Sequence, residues 1–426
     1  MIEMQTDIPK LRFPQFKDSW VNDKMGNLFS FKVTNSFSRE NLNYEKGTVK
    51  NIHYGDIHTK FQTLFDVTKE SVPFINPEIS IERIAEDNYC QEGDLILADA
   101  SEDLADVGKS MELLNLNNEK ILSGLHTILA RPTSEKFSIG FAGYFFKSNN
   151  IRTQIQKESQ GSKVLSISST RLSKISLVIP SKEEQRNIVK FFIAIEEKLH
   201  ALKKKKSLLE EYKKGIMQKL FSQVLRFKDE NGMDFPEWEE KKITDIASTS
   251  IGLVTTMTTS YVEVGVPLIR NSDIKENRIN KTQLIYLDEA FAFKHKQKKL
   301  QLNDIVTVHT GDIGVSAVID ESMVGCLGFA TINTRVNTVY VLPEYICMYY
   351  NTPQSINYAI SVATGDGRSN YNLKDFDNAM IPVPSLQEQK KISHFLLSIY
   401  QKMGNLEVQI KQIEIWKQGL LQKMFC

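Results

Sequence analysis

The phrase IPSKEEQRNIVKFF at residues 179–192 returns as VPSLQEQKKISHFL at residues 383–396. The two copies lie 204 positions apart (385 − 181), and the match continues without a gap for about forty residues. It ends with YKKGIMQKLF at 212–221 and WKQGLLQKMF at 416–425. A match of this length without insertions predicts one rigid element that is present twice in the chain.

Apolar residues recur in both copies at alternating steps of four and three, which predicts a heptad seam along a helix. The first seam starts at Ile188 and the second at Ile392. Ser181 and Ser385 precede the helices as N-caps, and the glutamates three positions later predict capping boxes. The sequence therefore predicts two helical rods of roughly 60 Å each. The alternative is two unrelated amphipathic helices, each packed on its own domain.

A weaker repeat lies upstream of each rod. Short β-branched runs alternate with helical stretches in both upstream segments, which predicts mixed α/β globules. Trp20 in the first segment corresponds to Trp238 in the second. The matching segments are 11–31 with 233–249, 51–57 with 268–274, 92–104 with 302–314, and 161–180 with 365–384.

The predicted fold is mixed α/β, with two globules separated and joined by two long helices that form an antiparallel coiled coil with an internal pseudo-twofold repeat. The predicted domains are residues 1–180 and 222–384 for the globules, and 181–221 and 385–426 for the rods. DNA-binding dimers use such a pair of readers at a fixed separation to recognise two half-sites. Both readers are on one chain here, so they can differ and the target need not be palindromic.

Composition limits the class of protein. A chain of 426 residues is long enough for two or more domains, and its net charge of +1 excludes a uniformly basic nucleic-acid binder. Four scattered cysteines suit a reducing compartment. The first ten residues, MIEMQTDIPK, do not resemble a secretory signal, and no segment has the ~20 apolar residues that span a bilayer. We expect a soluble cytoplasmic protein.

Residues suited to DNA contact are found in two places in each globule. Arg and Asn favour guanine and adenine edges, whereas Lys and Ser favour phosphates. Each of them is alternatively a solvated loop residue. The candidates are His53, Tyr54, Lys60, Lys163, Ser168, Ser169 and Arg171 in the first globule, and Arg270, Asn271, Lys275, Arg278, Lys281, Arg368, Asn370, Tyr371 and Asn372 in the second.

Motifs for catalysis are missing from the sequence. We find no phosphate-binding loop, no HExxH zinc motif, no G-x-S-x-G elbow and no Asn-Pro-Pro tetrapeptide of the amino-methyltransferases. The acidic clusters at 100–106 and 237–242 could be nuclease carboxylates or, alternatively, solvated surface. We therefore expect no catalytic residues, no metal site and no cofactor in this chain, which is typical of a recognition protein.

With these motifs the chain resembles the specificity subunit of type I restriction-modification systems. The resemblance rests on IPSKEEQRNI and VPSLQEQKKI, on the endings GIMQKLF and GLLQKMF, and on LRF and FPEWEEKKI at the domain starts. It implies two target recognition domains that read a bipartite, asymmetric sequence in double-stranded DNA. It also implies two methyltransferase subunits and additional restriction subunits as partners, which would use S-adenosylmethionine, ATP and Mg.

The same resemblance implies that the rods bind the methyltransferase subunits. Exposed faces around Glu184, Gln185, Glu388 and Gln389 are the candidates for this contact, although plain helix capping explains the two glutamates equally well. Two other functions stay open at this point: a stand-alone DNA-modifying enzyme and a non-catalytic coiled-coil scaffold.

Overall fold

Two long helices occupy the predicted rod positions, at Lys182–Phe221 and Leu386–Lys423. The hydroxyl of Ser181 accepts the Glu184 backbone N–H at 3.4 Å, and the hydroxyl of Ser385 accepts that of Glu388 at 3.3 Å. Both serines therefore act as N-caps, as the sequence predicts.

The computed structural model describes residues 8–133, 135–365 and 369–425. The chain divides into two units. Unit 1 comprises Met1–Lys203 and Val408–Cys426, and unit 2 comprises Lys204–Glu407. Within the described residues, none of the helices combines the length and the apolar character that a membrane crossing needs.

The described residues of unit 1 form thirteen strands and five short helices before the first long helix. Its strands are β1 (Val21–Lys24), β2 (Phe29–Lys32), β3 (Leu42–Asn43), β4 (Lys50–Ile52), β5 (Leu64–Asp66), β6 (Phe74–Ile75), β7 (Leu95–Ala98), β8 (Ala100–Ser101), β9 (Ser110–Asn115), β10 (Ile121–Ser123), β11 (Thr127–Pro132), β12 (Leu165–Ser166) and β13 (Ser176–Ile179). Its helices are α1 (Met25–Leu28), α2 (Tyr54–Thr59), α3 (Phe141–Phe145), α4 (Asn149–Glu158) and α5 (Ser169–Leu172), followed by α6 (Lys182–Phe221), and 3-10 turns lie at Arg39–Asn41 and Glu86–Asn88.

Two sheets form the body of unit 1. One has the order β2-β11-β7-β9-β5 and the other β10-β4-β6-β3. Strand β7, LILA, lies inside the first sheet with all four side chains buried. The short pair β8-β12 lies beyond the end of β7, and β1 pairs with β13 just before α6 begins.

The part of unit 2 that the structure describes contains the other twelve strands. They are β14 (Glu239–Lys242), β15 (Ala247–Ile251), β16 (Tyr261–Val262), β17 (Val266–Arg270), β18 (Ile274–Lys275), β19 (Arg278–Ile279), β20 (Ile285–Leu287), β21 (Ile305–Val308), β22 (Ser316–Val318), β23 (Leu327–Phe329), β24 (Thr331–Val336) and β25 (Met380–Val383). Its helices are α7 (Ile243–Ile246), α8 (Glu289–Lys294), α9 (Pro343–Tyr350), α10 (Pro353–Val362) and α11 (Leu373–Asp377), followed by α12 (Leu386–Lys423); 3-10 turns lie at Thr258–Ser260, Asn271–Asp273, Lys296–Lys298 and Glu321–Met323.

The sheets of unit 2 repeat those of unit 1. The order β15-β24-β21-β22 corresponds to β2-β11-β7-β9. The parallel pair β17-β23 corresponds to the parallel pair β4-β10, and β14-β25 corresponds to β1-β13. The repeat detected in the sequence is thus a repeat of strand topology.

Each unit packs its globule against an antiparallel pair of helix segments. In unit 1, Ile188 and Phe192 near the start of α6 share one hydrophobic core with Leu420 near the end of α12. In unit 2, Leu220 at the end of α6 shares a core with Ile392 near the start of α12. Seam positions near the start of each helix, such as Phe192 and Leu396, are buried, as the heptad pattern predicts, whereas Leu209, Ile216, Ile410 and Ile413 farther along are half-buried.

Candidate nucleic-acid interface

The first group of predicted contact residues lies at the start of α2 in unit 1. His53 is the N-cap of this helix, and its Nδ1 accepts the backbone N–H of Gly55 at 3.2 Å. Burial lowers the pKa of His53, with Arg39 adding to the effect. The Tyr54 ring is half-buried, and its centroid lies 4.7 Å from that of His53.

Lys60 is exposed at the end of α2. Its Nζ lies 3.0 Å from the buried carboxylate of Asp56 and donates to the Tyr44 hydroxyl at 3.1 Å. These two hydrogen bonds raise the pKa of Lys60. Asp56 also receives a two-pronged hydrogen bond from Arg39 at 2.8 and 2.9 Å, so it holds both basic residues beside α2.

The second group surrounds β12 and α5. Lys163 and Ser168 are exposed, and the Ser168 hydroxyl caps α5 by accepting the Arg171 backbone N–H at 3.4 Å. Ser169 is half-buried in the first turn of α5. The Arg171 guanidinium donates to the backbone oxygen of Glu158 at 3.1 Å, so it also supports the end of α4.

Asp99, which the sequence analysis did not single out, makes contacts near both groups. Asp99 directly follows β7, and its backbone oxygen accepts the N–H of Ile167 at 2.9 Å. Its Oδ1 lies 3.2 Å from Nδ1 of His126, and the His126 ring lies 5.3 Å from the Tyr54 ring. Burial raises the pKa of Asp99, while His126 opposes the rise.

The predicted residues 270–281 of unit 2 surround the hairpin β18-β19. Arg270 donates to the Asp273 carboxylate at 2.8 and 2.9 Å, and this hydrogen bonding raises its pKa. Lys275 is exposed on β18. Arg278 is exposed and pairs with Glu407 at 3.2 Å.

Two further residues of this region make hydrogen bonds to other segments. Lys281 is exposed, and its Nζ donates to the Ser322 hydroxyl at 2.7 Å. The Asn271 side-chain oxygen accepts the backbone N–H of His309 at 3.2 Å. The latter contact connects the loop after β17 to the end of β21.

Residues 370–372 lie near the end of β21, which Asn271 also contacts. Asn370 Oδ1 accepts the Thr310 hydroxyl at 2.7 Å, and Asn372 donates to the Thr364 hydroxyl at 2.9 Å. Arg368 lies outside the described residues. The prediction for Tyr371 is wrong for its side chain, which is 3% exposed and belongs to the core of unit 2.

The main-chain contact of His309 in unit 2 is equivalent to that of Asp99 in unit 1. His309 directly follows β21, and its backbone oxygen accepts the Tyr371 N–H at 2.9 Å, as Asp99 does with Ile167. The sequence already indicated this equivalence, because Asp99 and His309 occupy the same position in the aligned segments 92–104 and 302–314. Both units thus build one main-chain frame and fill it with different side chains.

The four residues predicted to face a partner subunit lie inside the chain. Glu184 and Glu388 are 1% and 0% exposed, and Gln185 and Gln389 are both 0% exposed. The expectation that they occupy an exposed helix face is therefore wrong. The physical reason is that their carboxylate and amide groups bind other segments of the same unit.

Each glutamate connects its helix to the start of its globule. The Glu184 carboxylate accepts two hydrogen bonds from Arg12, both at 2.8 Å, and one from the Trp20 indole at 3.2 Å. In unit 2 the Arg226 guanidinium donates to Glu388 at 2.9 and 3.1 Å, and the Trp238 indole donates at 2.9 Å. Each glutamate therefore binds a distant arginine and tryptophan instead of closing a capping box.

Each glutamine joins three backbone groups. Gln185 accepts the Ser138 N–H at 2.8 Å and donates to the Lys136 and Pro180 oxygens at 2.8 and 3.0 Å. Gln389 accepts the Leu342 N–H at 2.8 Å and donates to two oxygens, those of Tyr340 and Pro384. The Glu-Gln pair of the repeated phrase thus joins each rod to its own globule.

The described residues contain no cluster of three or more His, Cys, Asp or Glu side chains arranged to hold a metal ion. Cys90, Cys326 and Cys347 are buried free thiols.

Comparison with known proteins gives the family. The model of the type I restriction modification DNA specificity domain matches residues 17–211 and again residues 236–414. The chain is 23% identical over 346 residues to the type I restriction enzyme EcoKI specificity subunit of Escherichia coli K12, which covers 78% of this chain and 74% of that protein. It is also 23% identical over 197 residues to the EcoBI specificity subunit of Escherichia coli, covering 44% of this chain but only 41% of that protein.

Solved structures share the fold. The type I restriction-modification S subunit from M. genitalium aligns with a TM-score of 0.56 and 14% identity, over 98% of this chain and 99% of that one. A chain from a structure on complex assembly and conformational transition of the type I R-M system aligns with a TM-score of 0.58 and 16% identity, over 96% and 97%. Because the two family matches together cover most of its length, this chain belongs to the type I restriction-modification DNA specificity family, and its function is DNA recognition.

Proposed function

We propose that each unit of this chain reads one half of a bipartite, asymmetric DNA sequence. The observation that supports this most directly is the repeated frame around Asp99 and His309, whose carbonyl oxygens accept equivalent N–H groups at 2.9 Å. Direct readout depends on the donors and acceptors that side chains offer to base edges. Two equivalent main-chain arrangements that carry different side chains are suited to reading two different half-sites.

We further propose that the chain is not itself an enzyme and holds no cofactor. Methylation and cleavage would be performed by two methyltransferase subunits and by restriction subunits, which would use S-adenosylmethionine, ATP and Mg. The structural relative from work on complex assembly of the type I R-M system supports such an assembly. The net charge of +1 also fits, because partner subunits can supply the phosphate contacts.

The assembly would act in the cytoplasm, where cellular DNA and the partner subunits meet. The partner surface on the rods would lie outside the buried Glu184-Gln185 and Glu388-Gln389 pairs. Family membership favours this function over a stand-alone DNA-modifying enzyme or a coiled-coil scaffold.

The test is methylation mapping by long-read sequencing. The chain is expressed with the methyltransferase subunit encoded beside it, in a host that lacks both, and the methyltransferase subunit alone is the control. We expect a new split motif, two short blocks with a fixed gap, only when the chain is present. If the assembly forms but no new motif is methylated, although the methyltransferase works with another specificity subunit, the proposal fails.

A further inference from the structure

Asp99 and His309 hold one position in two copies of a frame. Each directly follows a buried strand, β7 or β21, that lies inside one of the main sheets of its unit. The main chain fixes this position, because the backbone oxygen of each residue accepts an N–H from the segment before α5 or α11. The side chain can therefore change between units without a change in the frame.

A strained residue accompanies this position in both units. His126 before β11 has φ 55°, and Ala330 before β24 has φ 51°. Neither is glycine, so the left-handed conformation costs free energy at both places. Such strain is often retained at functional sites. In unit 1 it holds the imidazole of His126 within 3.2 Å of the Asp99 carboxylate.

The surroundings of Asp99 resemble a binding surface more than a core. The Asp99 side chain is 29% exposed and that of His126 is 51% exposed. The Tyr54 ring lies 4.7 Å from the ring of His53 and 6.0 Å from that of His58. The His58 Nδ1 is buried and has no hydrogen-bond partner within the described residues. Flat rings and an incompletely bonded imidazole therefore surround an accessible carboxylate.

A carboxylate on a DNA-binding surface is informative because phosphates repel it. It is compatible with tight binding where it accepts a hydrogen bond from a base. An ionised carboxylate can only accept, so it pairs with the exocyclic amino group of cytosine or adenine in the major groove. It is repelled by the oxygen acceptors of guanine and thymine at the same place.

We propose that Asp99 and His309 are equivalent base-reading residues, and that Asp99 accepts a hydrogen bond from the amino group of a cytosine or adenine in one half of the target. This inference rests on the proposed function above. His126 positions the Asp99 carboxylate and is not itself assigned a base contact.

The hydrogen bonds in unit 2 determine which ring nitrogen of His309 is an acceptor for a base. Its Nδ1 lies 2.8 Å from the Thr310 hydroxyl, which donates its one hydrogen to Asn370 Oδ1 at 2.7 Å. The hydroxyl must then accept from Nδ1–H, which leaves Nε2 of His309 as an acceptor. Burial lowers the pKa of His309 and so favours this neutral ring. Thr310 and Asn370 thus position the acceptor of His309.

The experiment uses the full chain in its assembly with the methyltransferase subunit and reads the methylated motif for each variant. Asp99→Asn keeps the shape but adds a donor, and Asp99→Ala removes the acceptor. Both should reduce the preference at one cytosine or adenine position roughly tenfold, in one half only. His309→Ala should relax one position in the other half. Glu102→Gln, an exposed carboxylate in the same loop, is the matched control.

The outcomes separate the inference from the proposed function. If the parent chain directs a split motif and both Asp99 variants keep that motif with full selectivity, the inference is overturned and the proposed function stands. A variant that alters both halves or the gap also overturns it, because the residue then supports the fold. If the parent chain directs no split motif, both proposals fail. Equal melting temperatures confirm that the variants are folded.

Discussion

The guanidinium of Arg12 donates two hydrogen bonds to the carboxylate of Glu184, both at 2.8 Å, across 172 positions of sequence. The carboxylate side chain is 1% exposed and the guanidinium 12%, so water screens this pair weakly. Breaking a buried pair leaves one charge without compensation, which costs about 3–5 kcal/mol. We expect Glu184→Gln to lower the free energy of unfolding of unit 1 by about this amount.

Hydrogen–deuterium exchange can resolve this loss by unit. Peptides around Trp20 and the start of α6 should lose protection in Glu184→Gln, while peptides of unit 2 keep it. Glu183→Gln removes the same charge from an exposed position one residue earlier and is the matched control. Equal protection in Glu184→Gln and Glu183→Gln would show that the ion pair does not hold the globule to its rod.

The rods were predictable because heptad periodicity and capping are local in sequence. The seam positions Ile188 and Phe192 are 1% and 0% exposed, in agreement with the pattern. The partner of Glu184 was not predictable in this way, since helix capping already provided a sufficient local explanation for a glutamate at that position. The Arg12 contact needs a tertiary structure that brings distant residues together.

The repeated LRF at 11–13 and 225–227 was the available signal for that contact. Pairing segment 11–31 with 233–249 places Phe13 opposite Phe235, which is the wrong register for this residue. In the structure Phe13 packs on Phe191 at 5.9 Å, and Phe227 packs on Phe395 at 5.7 Å. The spacing from arginine to tryptophan differs between the units, so a gap-free comparison could not find both equivalences.

For the candidate site too, some features could be predicted from the sequence and others could not. Residue type singled out Asn271 and Asn370, which accept hydrogen bonds from His309 and Thr310 at the end of β21. It could not predict that the Tyr371 side chain points into the core, or that the backbone oxygens of Asp99 and His309 bind the segments before α5 and α11. Side-chain direction depends on the register of short irregular strands, which composition does not determine.

Gln389→Glu should destabilise unit 2. The Gln389 amide nitrogen donates to the Tyr340 and Pro384 oxygens at 3.0 and 2.8 Å. A carboxylate would place a negative oxygen against two carbonyl oxygens in a site with 0% exposure. We expect a loss of at least about 2 kcal/mol in urea unfolding. Gln387→Glu, exposed in the same first turn, should be neutral or slightly stabilising; equal losses in both variants would contradict the prediction.

Glu112 should make unit 1 less stable as pH rises. Burial raises its pKa from 4.5 to about 8, although the backbone N–H groups of Gly143 and Gly140 oppose the rise. A folded-state pKa above the unfolded value gives a contribution that is full below about pH 4.5 and lost as pH approaches 8. Unit 2 has Val318 at the equivalent place, beside β21.

Urea unfolding between pH 5 and pH 8 tests this titration. Glu112→Gln removes the titrating carboxyl, so the stability of the parent chain relative to this variant should fall by up to about 1.4 kcal/mol per pH unit. Glu82→Gln, which removes an exposed carboxylate, controls for the change in net charge. A pH-independent difference between the parent chain and Glu112→Gln would mean that Glu112 does not titrate in this range.

Lys163 and Lys275 should contribute affinity without sequence preference. Both are exposed, and in sequence Lys163 lies shortly before Ile167 and Lys275 shortly after Asn271. A lysine that contacts a phosphate releases a counterion, so each alanine variant should weaken DNA binding and reduce the slope of log K against log salt by about 1. Binding of the assembled complex at several salt concentrations measures this. A changed methylation motif would instead indicate contact with a base.

Deleting residues 203–206 should change the gap between the half-sites. These residues lie within α6, which runs unbroken over Lys182–Phe221, so the deletion removes about one turn, or roughly 6 Å of helix. Four residues do not match the seven-residue repeat, so the seam also shifts. We expect methylation mapping to give the same two blocks with a different gap, or else loss of the assembly.

The control keeps the helix length and removes only the charges. The deleted segment includes Lys203, which pairs with Glu414 at 2.6 Å, and Lys206, which pairs with Glu407 at 3.0 Å. Replacing all four lysines by alanine breaks the same ion pairs, and exposed pairs contribute only about 0–1 kcal/mol each. The alanine variant should therefore keep the parent gap. If the deletion also keeps the parent gap with full methylation, helix length does not set the distance between the two half-sites.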